Sequence, residues 1–289
     1  MRAVVTGAGG FAGQWLVRSL VSADIPVVAW AHKTLPDVPT GVQARLVDIT
    51  DNEAIRAAMS VDEPTMLYHL AAVTHLGDCQ ANPTHAFRVN TWSTLKLLEA
   101  MPEGCRAVFA STCHVYGPPS TLPISEKHPT TPDSVYAESK LKAEEGALDL
   151  NRDVVIARAF HHTGPGQSSR YVLADWADQI RNGASSISVG DLSLKRDFTD
   201  VRDIVGGYIH LMKHGTKGEV YNLCSGVAPE LGTFLSWLIG NQSIQARPDP
   251  KRFRDKDIPE FRGCPAKVES LGWARQFEMR ETLERMSRT

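Results

Sequence analysis

The opening stretch MRAVVTGAGGFAG restricts what this chain can fold into more than any other segment. Ala3, Val4 and Val5 form a short apolar run, as a strand buried on both faces would. Gly7, Gly10 and Gly13 follow at three-residue spacing, and Ala12, Trp15, Leu16 and Leu20 then share one face of a helix. Strand, glycine turn and helix start, in that order, make a cradle for a pyrophosphate. Glycine permits the tight turn and a close backbone approach, while the helix start offers unpaired N–H groups and the positive end of a dipole. The spacing predicts a doubly wound parallel α/β sheet that binds a dinucleotide, with Gly7, Gly10, Phe11 and Ala12 at the phosphates.

A length of 289 residues suits one large α/β domain with a smaller lobe. Lys and Arg number 31 against 33 Asp and Glu, a net charge of −2 without a basic stripe, so nucleic acid is not an expected partner. Cys79, Cys105, Cys113, Cys224 and Cys264 are widely spaced and include no C-x-x-C pair. Neither a metal site nor a disulfide frame is indicated, and reduced thiols point to the cytoplasm. No apolar run is long enough for a membrane span, and the opening residues read as a core strand, not a signal peptide.

Residues 25–31, 45–47 and 66–70 read as further strands, with a helix to Met59 capped by Thr50 or Asp51. Residues 81–100 read as one helix with Ala86, Val89, Leu97 and Leu98 as apolar points. Asn90 within it either bonds backbone near the active strand or faces water. Residues 106–110 and 154–157 are strands, separated by a proline-rich loop and a helix capped by Asp133 or Ser134. The βα alternation ends near residue 160. Helices at 172–182, 200–213, 233–239 and 281–286 and a strand at 219–223 follow, and 249–262 is charged and aperiodic. The expected division is an NAD(P)-binding domain over 1–160, with a return segment near 195–225, and a substrate-binding lobe over 161–194 and 226–289.

An NAD site places an acid about 20 residues past the glycines to bond the ribose 2′-hydroxyl. Here the second strand runs into His32 and Lys33. Either these meet a 2′-phosphate, which favours NADP over NAD, or they are solvated loop residues. Asp48 and Ile49 follow the third strand, where adenine is commonly met in this fold class. Leu70, Ala71 and Ala72 close the fourth, small enough for backbone to lie against a cofactor.

Tyr136 and Lys140 are four apart, so on a helix they lie one turn from each other on the same face. There the ammonium can lower the pKa of the phenol, and the phenol can give a proton to a carbonyl oxygen as hydride reaches the carbon.

Thr6-Gly7 through Gly13, His69-Leu70-Ala71-Ala72, Ser111-Thr112 ahead of Tyr116-Gly117, and Tyr136-x-x-x-Lys140 occur in this order. On these the chain resembles the extended short-chain dehydrogenase/reductases, the NAD-dependent epimerase/dehydratase family, that act on nucleotide sugars. Arg158 to Gln167, Arg196 to Asp203 and Tyr221 to Gly226 make it most similar to the GDP-4-keto-6-deoxymannose reductases, which form GDP-rhamnose. The resemblance implies a Rossmann-type fold and reduction of a GDP-linked 4-keto-6-deoxy sugar at C4 by NADPH. It also implies a homodimer through helices near 82–100 and 134–150. Thr112 takes the hydroxyl role at the sugar carbonyl, Tyr136 is the acid and Lys140 holds the nicotinamide ribose. Arg196 meets the nucleotide half of the substrate, or pairs with Asp197 or Asp200. Arg254 reaches the diphosphate, or is a surface loop residue.

The departures bear on the reaction. Related 4,6-dehydratases carry a glutamate acid/base where this chain has Cys113-His114, which argues against water elimination. Fucose-forming epimerase/reductases have a proton-moving Cys at the position of His114. His114, or Cys113 as a thiolate, therefore makes an epimerase the alternative, unless both only bind substrate or pack. His161 stands where most relatives have Asn, which leaves room for a larger sugar such as a 6-deoxyheptose. The reading from another class is a non-catalytic NADP-binding protein, against which Tyr136 and Lys140 stand.

Overall fold

The computed structural model describes residues 1–253 and 257–288. The first half runs β1 (Ala3–Thr6), α1 (Phe11–Ser22), β2 (Val27–Ala31), β3 (Gln43–Leu46), α2 (Asn52–Asp62) and β4 (Met66–His69). It continues with α3 (Leu76–Ala81), α4 (Pro83–Phe87), a π-helical turn (Arg88–Trp92), α5 (Ser93–Glu99) and β5 (Arg106–Thr112). Next come a 3₁₀ turn (Cys113–Tyr116), α6 (Val135–Asp149), β6 (Val154–Ala159), β7 (His161–Thr163), α7 (Val172–Arg181) and β8 (Ser186–Val189). Last are β9 (Lys195–Arg196), β10 (Phe198–Asp200), α8 (Val201–His214), β11 (Val220–Leu223), α9 (Leu231–Ile239), β12 (Gln245–Pro248), β13 (Glu260–Phe261), α10 (Ala266–Glu269) and α11 (Met279–Met286).

Among the described residues, seven strands form one sheet in the order β3-β2-β1-β4-β5-β6-β11. Every neighbouring pair is parallel. The apolar run of β1 is explained by the two faces it serves. Ala3 and Val5 enter a core with Leu16 and Leu20 of α1 and Ile204 and Tyr208 of α8. Val4 enters the opposite core with Trp30, Ile55, Leu97 and Phe109. Truncating a residue such as Leu16, fully buried here, to Ala would cost about 2–5 kcal/mol. The strand order reverses between β1 and β4, so their C-terminal ends open a crevice where this fold class binds ligands. A further core gathers Leu173 and Trp176 of α7, Ile187 of β8, Phe234 of α9 and Leu283 of α11.

The doubly wound parallel sheet is as the sequence predicts; the helix expected over 81–100 is not. Pro83 lacks an N–H and starts a new helix, capped by the Asn82 side chain accepting from the His85 N–H. The π-turn that follows swings Asn90 inward, where it is fully buried. Its Oδ1 accepts from Val73 N at 2.8 Å, and its Nδ2 donates to Val73 O and Ser139 Oγ at 3.0 Å each. Of the two readings of Asn90, the structure takes the backbone-bonding one. The pairs β7–β10, β8–β12 and β9–β13 are too short to leave a periodic trace in the sequence. All five cysteines are free thiols.

Candidate active site

The cradle is built by contact between the ends of β1 and β4. Gly7 has a positive φ of 67°, and a Cβ there would lie 2.8 Å from Ala71 N. A Cβ at Gly13 would lie 2.2 Å from Gly7 O, so only glycine lets α1 start so close to the turn. Gly10 caps α1 without a side-chain bond and the first turn carries no acid, which leaves helix N–H groups and dipole for an anion. The residues present therefore fit a dinucleotide. Beneath them Thr6 Oγ1 lies 2.7 Å from His69 Nδ1, and His69 Nε2 lies 2.8 Å from Thr94 Oγ1. Lost hydration, then the charge of Lys140, push the pKa of His69 down to about 3, so it is a neutral pin.

A cleft of about 1160 Å³ runs from this cradle. Its wall holds Gly7, Gly10, Phe11, Ala12, His32, Asp48, Ile49, Leu70, Ala71 and Ala72 on the cofactor side. Thr112, Cys113, His114, Tyr136, Lys140, His161 and Arg196 lie on the same wall. Lys33 departs from expectation. Ala31, His32 and Thr34 border the cleft, and Lys33, exposed in the bend that follows β2, does not. His32 Nε2 lies 3.4 Å from Asp48 Oδ2. Burial opposes ionisation of Asp48, but the Thr50 N–H and hydroxyl, with His32, hold its carboxyl below the usual value.

Thr112 ends β5 and its hydroxyl accepts from the His114 N–H at 3.2 Å. Ser134 caps α6 by accepting from Ala137 N, which sets Tyr136 and Lys140 on the first two turns. Both are buried, at 9% and 2% exposure. Burial pushes the phenol's pKa up, against a hydrogen bond from Thr112 that pulls it down. The sequence reading has Lys140 lowering the phenol; in the structure loss of hydration dominates and the direction is upward. Burial also pushes Lys140 down to about 7, opposed by Glu144. Its Nζ lies 4.1 Å from the centroid of the Phe109 ring.

The outer half of the cleft is aromatic and charged. The ring of His114 lies 6.1 Å from Tyr136 and 5.5 Å from His161, which lies 5.4 Å from Phe198, all between centroids. Cys113 is 1% exposed and burial pushes its thiol far up, so it offers no thiolate. Arg196 donates to Ile258 O at 2.7 Å and lies 3.4 Å from Asp257 Oδ1. It is not the partner of Asp197 or Asp200. Asp197 accepts from Ser225, Gly226 and Gly263, and Asp200 pairs with Arg202 and Thr282. Arg254 lies outside the described residues.

Two groups on this wall carry no signal in the sequence. Arg170 spans the cleft to the Asp78 carboxylate at 2.7 and 2.9 Å and to His75 Nδ1 at 2.8 Å, beside a 3.0 Å contact between the Tyr171 and Thr74 hydroxyls. Farther out, Arg252 donates to Asp175 Oδ2 at 2.6 Å. The partners in both are at least 77 residues apart, so only the fold joins them.

Chemically, this is a phosphate cradle, a hydroxyl, a phenol and an ammonium in one cleft. The described residues hold no cluster of three or more metal-ligating side chains, and no helix among them is long and apolar enough to cross a membrane. The family model for the NAD dependent epimerase/dehydratase family matches residues 3–224. GDP-6-deoxy-D-mannose reductase of Pseudomonas aeruginosa is 31% identical, with 98% of this chain and 94% of that protein covered. The structure of RMD from Pseudomonas aeruginosa complexed with NADPH superposes with a TM-score of 0.88 at 28% identity, covering 99% of this chain and 97% of that one. The UDP-glucose 4-epimerase of Thermus thermophilus, in complex with NAD, gives 0.86 at 26% identity, with 99% of each chain covered. The glycine cradle, the crevice it opens and these likenesses agree: the chain belongs to the NAD dependent epimerase/dehydratase family.

Proposed function

We propose that this protein is an NADPH-dependent reductase of a nucleotide-activated, GDP-linked 4-keto-6-deoxy sugar, with the new hydroxyl at C4. The observation that carries the reading is that Thr112, Tyr136 and Lys140 share one cleft wall with the glycine cradle. A phenol, with an ordinary pKa of 10.0, is protonated at neutral pH and burial does not lower it, so Tyr136 would enter the reaction as the proton donor that carbonyl reduction needs. Thr112, on the same wall, would bring a second hydroxyl to the carbonyl oxygen. Bound NADPH would supply the hydride, held by Gly7, Gly10, Phe11 and Ala12 at its phosphates, His32 near the 2′-phosphate and Lys140 at the ribose. His114 and His161 would flank the sugar, Arg196 would meet the nucleotide half of the substrate and Arg254 its diphosphate. NADPH is preferred here because no acid stands at the end of β2 and because RMD was solved with NADPH. The similarity to a GDP-6-deoxy-D-mannose reductase supports the GDP link. Residues 1–160 and the 195–225 segment would serve the cofactor, the remainder the sugar. The protein would act in the cytoplasm as a homodimer, through helices on which Trp92 is 56% and Leu148 43% exposed.

The test is NADPH oxidation against GDP-, dTDP- and UDP-linked 4-keto-6-deoxy sugars, including a GDP-4-keto-6-deoxyheptose, with the product assigned by NMR. Turnover with the GDP-linked substrates is expected; none with any of them would overturn the reading. The second reading is an epimerase, favoured by the closeness of His114 to both Tyr136 and His161. The same assay in heavy water separates the two, because a pure reductase leaves C3 and C5 free of deuterium.

A further inference from the structure

Tyr136, Lys140 and Glu144 succeed one another at four-residue intervals on α6, so their side chains stack along one face. The first two border the cleft, and Glu144 lies behind them at 2% exposure. Two adjacent strands share its carboxylate. Arg158 Nη2 donates to Oε2 at 2.6 Å and its Nε lies 3.1 Å from both oxygens, while the Ser111 hydroxyl donates to Oε1. Ser111 and Arg158 are register partners across β5 and β6, and Ser111 precedes Thr112. One carboxylate thus ties the helix bearing the phenol and the ammonium to the strand bearing the catalytic hydroxyl.

Stability alone gives little reason for this ion pair, because well-packed apolar side chains in place of a buried pair are often as stable or more so. The surroundings of Lys140 give a better one. From β4 it faces His69, which is neutral; from β5, the ring of Phe109; on its own helix, Tyr136 and Glu144. Arg158, from β6, is turned to Glu144. Of these neighbours, Glu144 is the one that favours a charged amine. We propose that Glu144 is a positioning residue that acts through Lys140, as the buried counter-charge one helical turn behind the cleft's amine. This rests on the reading of Tyr136 and Lys140 as the reactive pair.

The test follows Lys140 itself, by the ¹³C shift of its ε-carbon in lysine-labelled protein, assigned with Lys140→Arg and titrated through the neutral range. Glu144→Gln keeps the length and one accepting oxygen and removes the charge. The titration midpoint of Lys140 is expected to fall by about one pH unit, the size an opposite charge nearby produces. Because Glu144→Gln leaves Arg158 buried without a counter-charge, Glu144→Gln with Arg158→Gln is measured beside it, and a smaller shift in the same direction is expected. A midpoint that stays in place in both, whatever happens to Tm, would show that the carboxylate only braces the fold. The titration needs no sugar substrate, so it fails or succeeds independently of the NADPH-oxidation assay.

Discussion

The inner and outer walls of the cleft are built by different means. The inner wall stands on the sheet. Its reactive groups sit at the end of β5 and on the first turns of α6, buried against a sheet of seven parallel strands. The outer wall stands on pairings of two to four residues and on ion pairs that reach solvent, such as Arg170 with Asp78 and Arg252 with Asp175. Burial gives the inner wall shifted proton affinities and a single arrangement. The outer wall trades that rigidity for contacts that water and ligands compete for. On the proposed function, chemistry belongs to the first kind of wall and recognition to the second.

The sharpest way to break this division is Tyr136→Phe, which removes the acid and leaves the packing. Turnover should fall by on the order of 100-fold or more with little change in Tm; a near-normal rate would move the acid elsewhere. Lys140→Met asks what the buried amine costs the fold. In the folded state its pKa lies at about 7, below its ordinary value of 10.5, so the unfolded chain holds more protons between those values. Stability of the parent protein therefore rises with pH across that window. The methionine variant should have the higher Tm below about pH 7, by roughly 2–4 °C per kcal/mol relieved, with the gap closing as pH rises toward 10.5. A constant gap would mean that the amine is not desolvated. His32→Glu probes the border of the two walls: the dissociation constant for NADPH should rise about tenfold and that for NADH much less, the size of one charge-assisted hydrogen bond. Equal changes would place the 2′-phosphate elsewhere. Arg170→Ala, on the outer wall, should speed NADPH release by less than about fivefold in stopped-flow fluorescence, as the loss of an exposed ion pair allows. A far larger effect would show that this contact is part of the rigid frame.

Legibility in the sequence follows the same boundary. The glycine turn, Ala71-Ala72, Thr112 and the Tyr136–Lys140 spacing are local patterns, and the structure brings them to one cleft. Lys33 stands in an exposed bend just past β2, and which way a bend turns its side chains is not recorded in a motif. The break at Asn82-Pro83 has a clear local signal in the proline, yet the continuous apolar spacing of 86–98 masks it. Arg170 with Asp78 and Arg252 with Asp175 are invisible because neither partner is unusual alone. The upward shift of the Tyr136 phenol cannot be read from spacing, since it depends on how much water the folded chain removes.

The core formed by Leu173, Trp176, Phe234 and Leu283 has one more consequence. Those side chains pack on each other as a cluster of their own, apart from the two that clasp the sheet. Because Leu173 and Trp176 also line the cleft, mutations in this unit would reshape the cleft without entering the cores that clasp the sheet. On the proposed reading the molecule is a fixed engine with an exchangeable jaw, one that could be fitted to a new sugar by changes outside the sheet.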